Sequence, residues 1–213
     1  MSKQSESYYH NNKHHYFTYY LFKTILTPLA YLMYWPKIIG KEKIPKEGAV
    51  ILGCNHRFAA DPAFAALSTR RMVHFLAKKE LFDSIFRWFF QLCGAIPVDR
   101  LHKDHRTMEC AEDILMKGEV LGIYPEGTRN HTSEPIQPLK FGAVRLAQKT
   151  GAVIIPVIET GKMKPFLSRN TIYIGDPFYV ESSADLNEAN EQLRDIMINI
   201  YTTHNVEYNK SAD

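Results

Sequence analysis

The chain has 213 residues, 45% of them hydrophobic, which suits one packed domain and excludes a chain disordered throughout. Its three cysteines, Cys54, Cys93 and Cys110, lack metal-ligand spacing, and their odd number argues against a disulfide framework and for a reducing, cytosolic setting. Residues 1–47 hold seven Lys against Glu6, Glu42 and Glu47, a balance of +4 that leaves −1 for the remainder; this basic excess points to an anionic lipid surface rather than to nucleic acid.

Residues 1–15, rich in Ser, Asn, Lys and His, read as a flexible polar tail with no secretory cleavage signature. His10, His14 and His15 in that tail are either metal ligands or simply solvated. From Tyr16 the chain becomes apolar and aromatic up to Pro36, broken only by Lys23 and Pro28. The unbroken part, Thr24 to Pro36, falls short of the roughly 20 apolar residues that cross a bilayer. Tyr16, Tyr19, Tyr20, Tyr31, Tyr34 and Trp35 are interfacial residue types, so residues 16–40 are expected as a helical segment lying in one leaflet, with packing on the protein's own core as the alternative. Lys23, Lys37, Lys41, Lys43 and Lys46 are then available to anionic head groups.

Residues 41–213 read as one α/β domain. Ala49–Cys54 is a continuous apolar run, the pattern of a strand buried on both faces. A helix is expected over Pro62–Thr69, a strand over Met72–Ala77, and a helix over Leu81–Cys93 whose large apolar residues cover too much of its circumference for one core face. That helix lines an acyl-chain groove, touches membrane, or is simply buried. A short strand through Ile96 and Val98, a helix over Lys103–Lys117, a strand over Glu119–Tyr124, a helix over Lys140–Lys149 and strands over Ala152–Ile158 and Thr171–Gly175 follow. Asp185, with Glu188 three positions later, caps a last helix running to about Tyr201. This alternation predicts an α/β fold, a mainly parallel twisted sheet with helices on both faces, and such sheets bind ligands beyond the carboxyl ends of their strands.

The loop after the first of these strands carries Asn55, His56, Arg57, Phe58, Ala59, Ala60 and Asp61, and ends at Pro62. On an ideal helix His56 and Asp61 would point about 140° apart, so a turn must join them if they are to meet. Pro62 biases the residue before it away from helical geometry and favours a helix start, placing Asp61 at a helix entrance. There Asp61 either caps the helix or orients His56 as a general base, the arrangement of acyl-transfer chemistry. Tyr124 to Gly127 alone would be a plain turn, but Thr128 and Arg129 add a hydroxyl and a planar guanidinium that suit a phosphate oxyanion. No glycine-rich nucleotide loop accompanies them.

In four ordered blocks over residues 45–160 the chain resembles the glycerolipid acyltransferases of the 1-acylglycerol-3-phosphate acyltransferase type. Asn55, His56 and Asp61 match the first block, and Gly94, Ile96, Pro97, Val98, Asp99 and Arg100 the second. Pro125, Glu126, Gly127, Thr128 and Arg129 match the third, and Ile154, Ile155, Pro156 and Val157 the fourth. The resemblance implies that residues 41–213 are the acyltransferase domain, with an acyl thioester donor on acyl carrier protein or coenzyme A and a lysophospholipid acceptor. It also implies phosphate binding by the third block (Glu126, Gly127, Thr128, Arg129) with help from Arg100. Phe58 and Asn130 depart from the pattern, where small hydroxylic residues are frequent. Phe58 bears on the acceptor pocket and its head group.

The expected chemistry has His56 as base on the acceptor hydroxyl, Asp61 as its orienter, and backbone amides or Lys78 stabilising the thioester oxyanion. No serine elbow is present, so no acyl-enzyme is expected, and neither metal nor cofactor is called for. The product would be phosphatidic acid, made by a monotopic or peripheral protein on the cytoplasmic face of the cell membrane. Alternatives are acyl transfer to another lysolipid, a noncatalytic lipid- or phosphate-binding protein, and a metal-dependent hydrolase built on His102, His105 and Asp99 or Asp104.

Overall fold

The computed structural model describes residues 15–99, 105–161, 165–166 and 170–210. Seven strands form one sheet: β1 (Lys37–Ile39), β2 (Val50–Cys54), β3 (Val73–Lys78), β4 (Ile96–Val98), β5 (Val120–Ile123), β6 (Val153–Thr160) and β7 (Thr171–Ile174), in the order β1-β7-β6-β2-β5-β3-β4. Every neighbouring pair is parallel except β6 with β7. The helices are α1 (His15–Tyr34), α2 (Asp61–Leu67), α3 (Arg87–Leu92), α4 (His105–Met116), α5 (Gly142–Thr150) and α6 (Leu186–Lys210). The expected mainly parallel sheet covered on both faces is therefore the observed fold.

Side chains along β2 alternate between two cores, as a strand's two-residue period requires. Ile51 joins Ile114, Leu115, Ala143, Leu146 and Leu193 under α4, α5 and α6. Val50, Leu52 and Cys54 join Phe64, Ala65 and Val73, with Tyr34 against them, under α2 and the end of α1. β2 lies between β5 and β6, so its carboxyl end opens at the middle of the sheet.

Three elements differ from the sequence reading. The helix expected over Leu81–Cys93 is a 3-10 turn, Lys79–Asp83, then extended Ser84, then α3. The Ser84 hydroxyl donates to Leu81 O at 2.7 Å and accepts from Phe86 N at 3.2 Å, taking the place of helical bonds. The helical segment expected to reach residue 40 stops at Tyr34, because Trp35 turns left-handed (φ 43°) and Pro36 has no N–H; Lys37–Ile39 then become an edge strand paired with β7. α6 runs past Tyr201 to Lys210.

α1 has two unlike sides. The Tyr19 hydroxyl accepts from Val73 N at 3.3 Å, Thr18 donates to Leu92 O at 3.1 Å, and the ring of Phe22 meets that of Phe89 edge-on. Lys23, expected to face head groups, instead donates to Thr69 O at 2.6 Å, and burial lowers its pKa to about 8. Lys43 is paired with Asp176 at 2.9 Å. Phe17, Ile25 and Leu32 stand exposed on α1, and Ile85, Phe86 and Trp88 are exposed around the start of α3. Among the described residues no helix is long and apolar enough to cross a membrane.

Candidate active site

Cys54 ends β2, and the backbone then turns out of the sheet under three separate restraints. Asn55 clamps it to β6, donating from Nδ2 to Glu159 O (3.0 Å) and accepting Glu159 N at Oδ1 (2.8 Å). His56 N donates to Glu126 Oε1 at 3.0 Å, and His56 O accepts Asn130 N at 2.7 Å. The third block thus grips the backbone of the first.

Asp61 gathers the loop from the other side. Its Oδ2 accepts Arg57 N at 2.7 Å, Phe58 N at 2.8 Å and His56 Nδ1 at 2.9 Å. The residue in the N-cap position is Ala60, and no side chain caps the helix, so Asp61 does not serve as a simple cap. A carboxylate that only accepts fixes the proton on Nδ1 of His56, leaving the Nε2 lone pair as a proton acceptor. No hydrogen bond to Nε2 is found among the described residues. The imidazole lies over the ring of Tyr124 at 4.2 Å between centroids, and Tyr124 stacks on Phe75 at 6.1 Å. Phe75 has this room because its register partner is Gly122, where a Cβ would fall 2.2 Å from the Phe75 ring. A glycine in β5 thereby sets the height of the histidine. Burial pushes the Tyr124 phenol well above its usual range, so the surface beneath His56 is neutral.

The third-block residues divide into a brace and a rim. Glu126, expected to bind substrate, is buried, and its two oxygens are taken by His56 N and by Gln137 N at 2.9 Å. Burial raises its acid only partly against these bonds. Gly127 closes the turn by donating its N–H to Tyr124 O at 2.9 Å, so that donor too is engaged; its φ of +71° suits glycine. Thr128 and Arg129 are exposed at the carboxyl end of β5, with no ion pair on Arg129 among the described residues. Lys140, which the sequence reading passed over, lays its side chain across Gly127.

Arg100, His102 and Asp104 lie outside the described residues, as do the tail histidines His10 and His14 and the side chains of His15 and His105. Lys78 is exposed with its ammonium 3.0 Å from Glu80, and no hydrogen bond or ion pair joins it to the His56 loop among the described residues. Asn130, one of the two departures, is buried and organises the next turn, accepting Thr132 N at 2.9 Å and donating to Glu134 O at 2.9 Å. Phe58, the other, is half-buried beside Asp61. Arg57 donates to the Tyr201 hydroxyl of α6. No group of three or more His, Cys, Asp or Glu side chains among the described residues is placed to hold a metal ion.

A family model described as Acyltransferase matches residues 36–159, more than half of the chain and all the elements that build the loop. The chain belongs to this acyltransferase family. It is 32% identical over 165 residues to the 1-acyl-sn-glycerol-3-phosphate acyltransferase of Bacillus subtilis (strain 168), covering 70% of this chain and 77% of the relative. The enzyme of the same description from Streptococcus pneumoniae (strain ATCC BAA-255 / R6) is 32% identical over 194 residues, covering 84% and 71%. The crystal structure of the 1-acyl-sn-glycerophosphate (LPA) acyltransferase PlsC from Thermotoga maritima superposes with a TM-score of 0.70 at 20% identity, covering 86% of this chain and 76% of that one, a shared fold.

An apolar groove of about 190 Å³ lies in this acyltransferase between α1, α2 and α3. Phe22, Leu26, Ala63, Ala66, Phe75 and Phe89 are among its walls. Pro62 and Ala63, immediately after Asp61, bring its edge to the loop, while Phe75 connects it through Tyr124 to His56. The aromatic stretch after Leu81 supplies Phe89 and Phe90 to the groove wall and leaves Ile85, Phe86 and Trp88 exposed, so it is only partly buried.

Proposed function

We propose that this chain transfers a fatty acyl group from an acyl thioester to the free hydroxyl of 1-acyl-sn-glycerol-3-phosphate, giving phosphatidic acid. The observation that carries the reading is the His56 Nδ1 to Asp61 Oδ2 contact of 2.9 Å, which leaves Nε2 as a base at the carboxyl end of β2, with the Arg129 turn at the end of the adjacent β5. Nε2 takes the proton of the acceptor hydroxyl while its oxygen bonds to the thioester carbonyl carbon. Asp61 stabilises the imidazolium formed. Collapse of the tetrahedral intermediate breaks the carbon–sulfur bond, and the proton on Nε2 leaves with the thiolate.

Arg129, with Thr128, receives the acceptor phosphate, converting its binding energy into placement of the hydroxyl; Lys140 adds a second positive charge to the same turn. Glu126 and Gly127 serve the cradle by shaping it rather than by touching phosphate. Arg100 is the further phosphate ligand proposed from the second block. The groove between α1, α2 and α3 takes an acyl chain, its carbonyl end toward His56. The oxyanion falls to a backbone amide other than those of His56, Arg57 and Phe58, which Glu126 and Asp61 already hold, with Lys78 a candidate only if its pair with Glu80 opens. The donor carrier is acyl carrier protein or coenzyme A, and the protein is monotopic on the cytoplasmic membrane face, supported by the exposed apolar residues of α1 and the α3 approach.

The test is phosphatidic acid formation from lysophosphatidic acid with each thioester in turn, with and without chelator. Formation unaffected by chelator is expected. Thioester hydrolysis without acylated product, or loss of turnover with chelator, would refute the proposal.

A further inference from the structure

Behind the His56–Asp61 pair lies a second carboxyl group that the proposed mechanism does not use. Glu159 stands near the end of β6, with its backbone N–H and C=O both held by the Asn55 side chain, so its position is tied to the loop it backs. It is 7% exposed. It lines a cavity of about 10 Å³ together with Asn55, Arg57, Phe58, Asp61 and Asn170, a space about the size of a single water.

Three carboxyl oxygens around that cavity are buried without a partner among the described residues: Oδ1 of Asp61 and both oxygens of Glu159. Two buried carboxylates this close cannot both be ionised without a large cost in desolvation and repulsion, so one of them holds a proton. The hydrogen bonds decide which. Oδ2 of Asp61 receives three N–H donors, whereas the Glu159 carboxyl receives none and is the one free to carry the proton. Burial and the charge of Asp61 push the Glu159 acid well above its usual range. Cys54 and Tyr124, which also face this region, are raised by burial as well and add no charge near neutral pH.

We propose that Glu159 is a positioning residue for acyl transfer: as a neutral carboxylic acid it donates its hydrogen to Oδ1 of Asp61, which keeps Oδ2 turned to Nδ1 of His56. The arrangement extends the dyad to imidazole, carboxylate and carboxylic acid. It rests on His56 acting as general base. The side-chain donors of Asn55, Arg57 and Thr160 around the cavity are engaged elsewhere, and the Asn170 amide, its nitrogen and oxygen buried without a partner among the described residues, is the other donor that could reach Oδ1.

The experiment compares kcat, both KM values and the melting temperature for Glu159→Gln, Glu159→Leu, Asn170→Ala and His56→Ala. A glutamine still presents an N–H to Oδ1, so Glu159→Gln should stay within about threefold of the parent kcat, whereas Glu159→Leu, which loses a charge-assisted hydrogen bond, should fall roughly 10-fold to 100-fold with both KM values unchanged. Asn170→Ala should resemble the parent. If Glu159→Leu does not melt cooperatively, Glu159→Met takes its place. Parental kcat in the folded apolar variant overturns the proposal. So does a Glu159→Gln as impaired as Glu159→Leu, which would require the anion, or an Asn170→Ala that reproduces the loss. A parental rate in His56→Ala would instead overturn the general-base reading. An inactive His56→Ala beside an unaffected Glu159→Leu overturns the present inference alone.

Discussion

Asp61→Asn separates the two roles that Asp61 holds. Two backbone N–H groups, from Arg57 at 2.7 Å and Phe58 at 2.8 Å, point at Oδ2, so an asparagine must turn its carbonyl oxygen there and its NH2 group away. The loop therefore keeps its bonds, weakened from charge-assisted to neutral; at about 1 kcal/mol for each of the two, the stability cost is about 2 kcal/mol. Turnover loses more, because the imidazolium formed on proton transfer no longer faces a carboxylate at 2.9 Å. A loss of about 100-fold to 10,000-fold in kcat, or roughly 2.7 to 5.4 kcal/mol of barrier, is expected. Asp61→Ala is the poorer probe, since it strands buried donors at about 1–3 kcal/mol each and confounds folding with chemistry. The assay is phosphatidic acid formation at saturating thioester and lysophosphatidic acid, with a thermal melt of the same sample. An asparagine variant that folds and turns over within about fivefold of the parent would reduce Asp61 to a brace for the loop.

Arg129→Ala should raise the acceptor's KM by about tenfold or more, as expected for a lost charge-assisted contact, and leave the donor's KM unchanged; equal weakening of both would remove Arg129 from the phosphate. Glu126→Gln turns one buried acceptor into a donor facing His56 N or Gln137 N, so it should cost about 1–3 kcal/mol of stability and lower kcat without raising the acceptor's KM. A raised acceptor KM alone would return Glu126 to the substrate. Phe17, Ile25 and Leu32 changed together to Ser should release the protein from anionic vesicles in cosedimentation while activity on detergent-dispersed acceptor persists; unchanged binding would refute the α1 surface. Removal of residues before Lys37 is a different experiment, because it also strips a wall from the groove, and it should abolish activity in detergent as well. Burial and the charge of Asp61 raise the Glu159 acid above its ordinary 4.5, so its contribution is fully present below that value and is lost as pH rises through the folded pKa. Glu159→Gln does not titrate, and above 4.5 it should gain on the parent by up to about 1.4 kcal/mol per pH unit in urea unfolding; a gap independent of pH would refute a buried neutral acid.

What the sequence determined by itself was whatever is written in neighbouring residues. The apolar runs of β2, β5 and β6 identify strands buried on both faces, Pro62 marks a helix start, and the histidine and carboxylate of one short loop were readable as a pair because they stand five positions apart. Tertiary structure alone decided which third-block residues stand exposed and which brace the loop. Glu126 reaches a backbone N–H 70 positions away and Asn55 reaches β6 104 positions away, and a backbone donor has no residue identity by which a sequence could announce it. The same limit hid Glu159, an ordinary acid at a strand end until folding places it in one cavity with Asp61. It also hid the edge strand Lys37–Ile39, too short for a periodic signal and held by its pairing with β7. Local chemistry is encoded locally; which side of a carboxylate meets water, backbone or another carboxylate is settled by packing between segments distant in sequence, where the free energy of burial is decided.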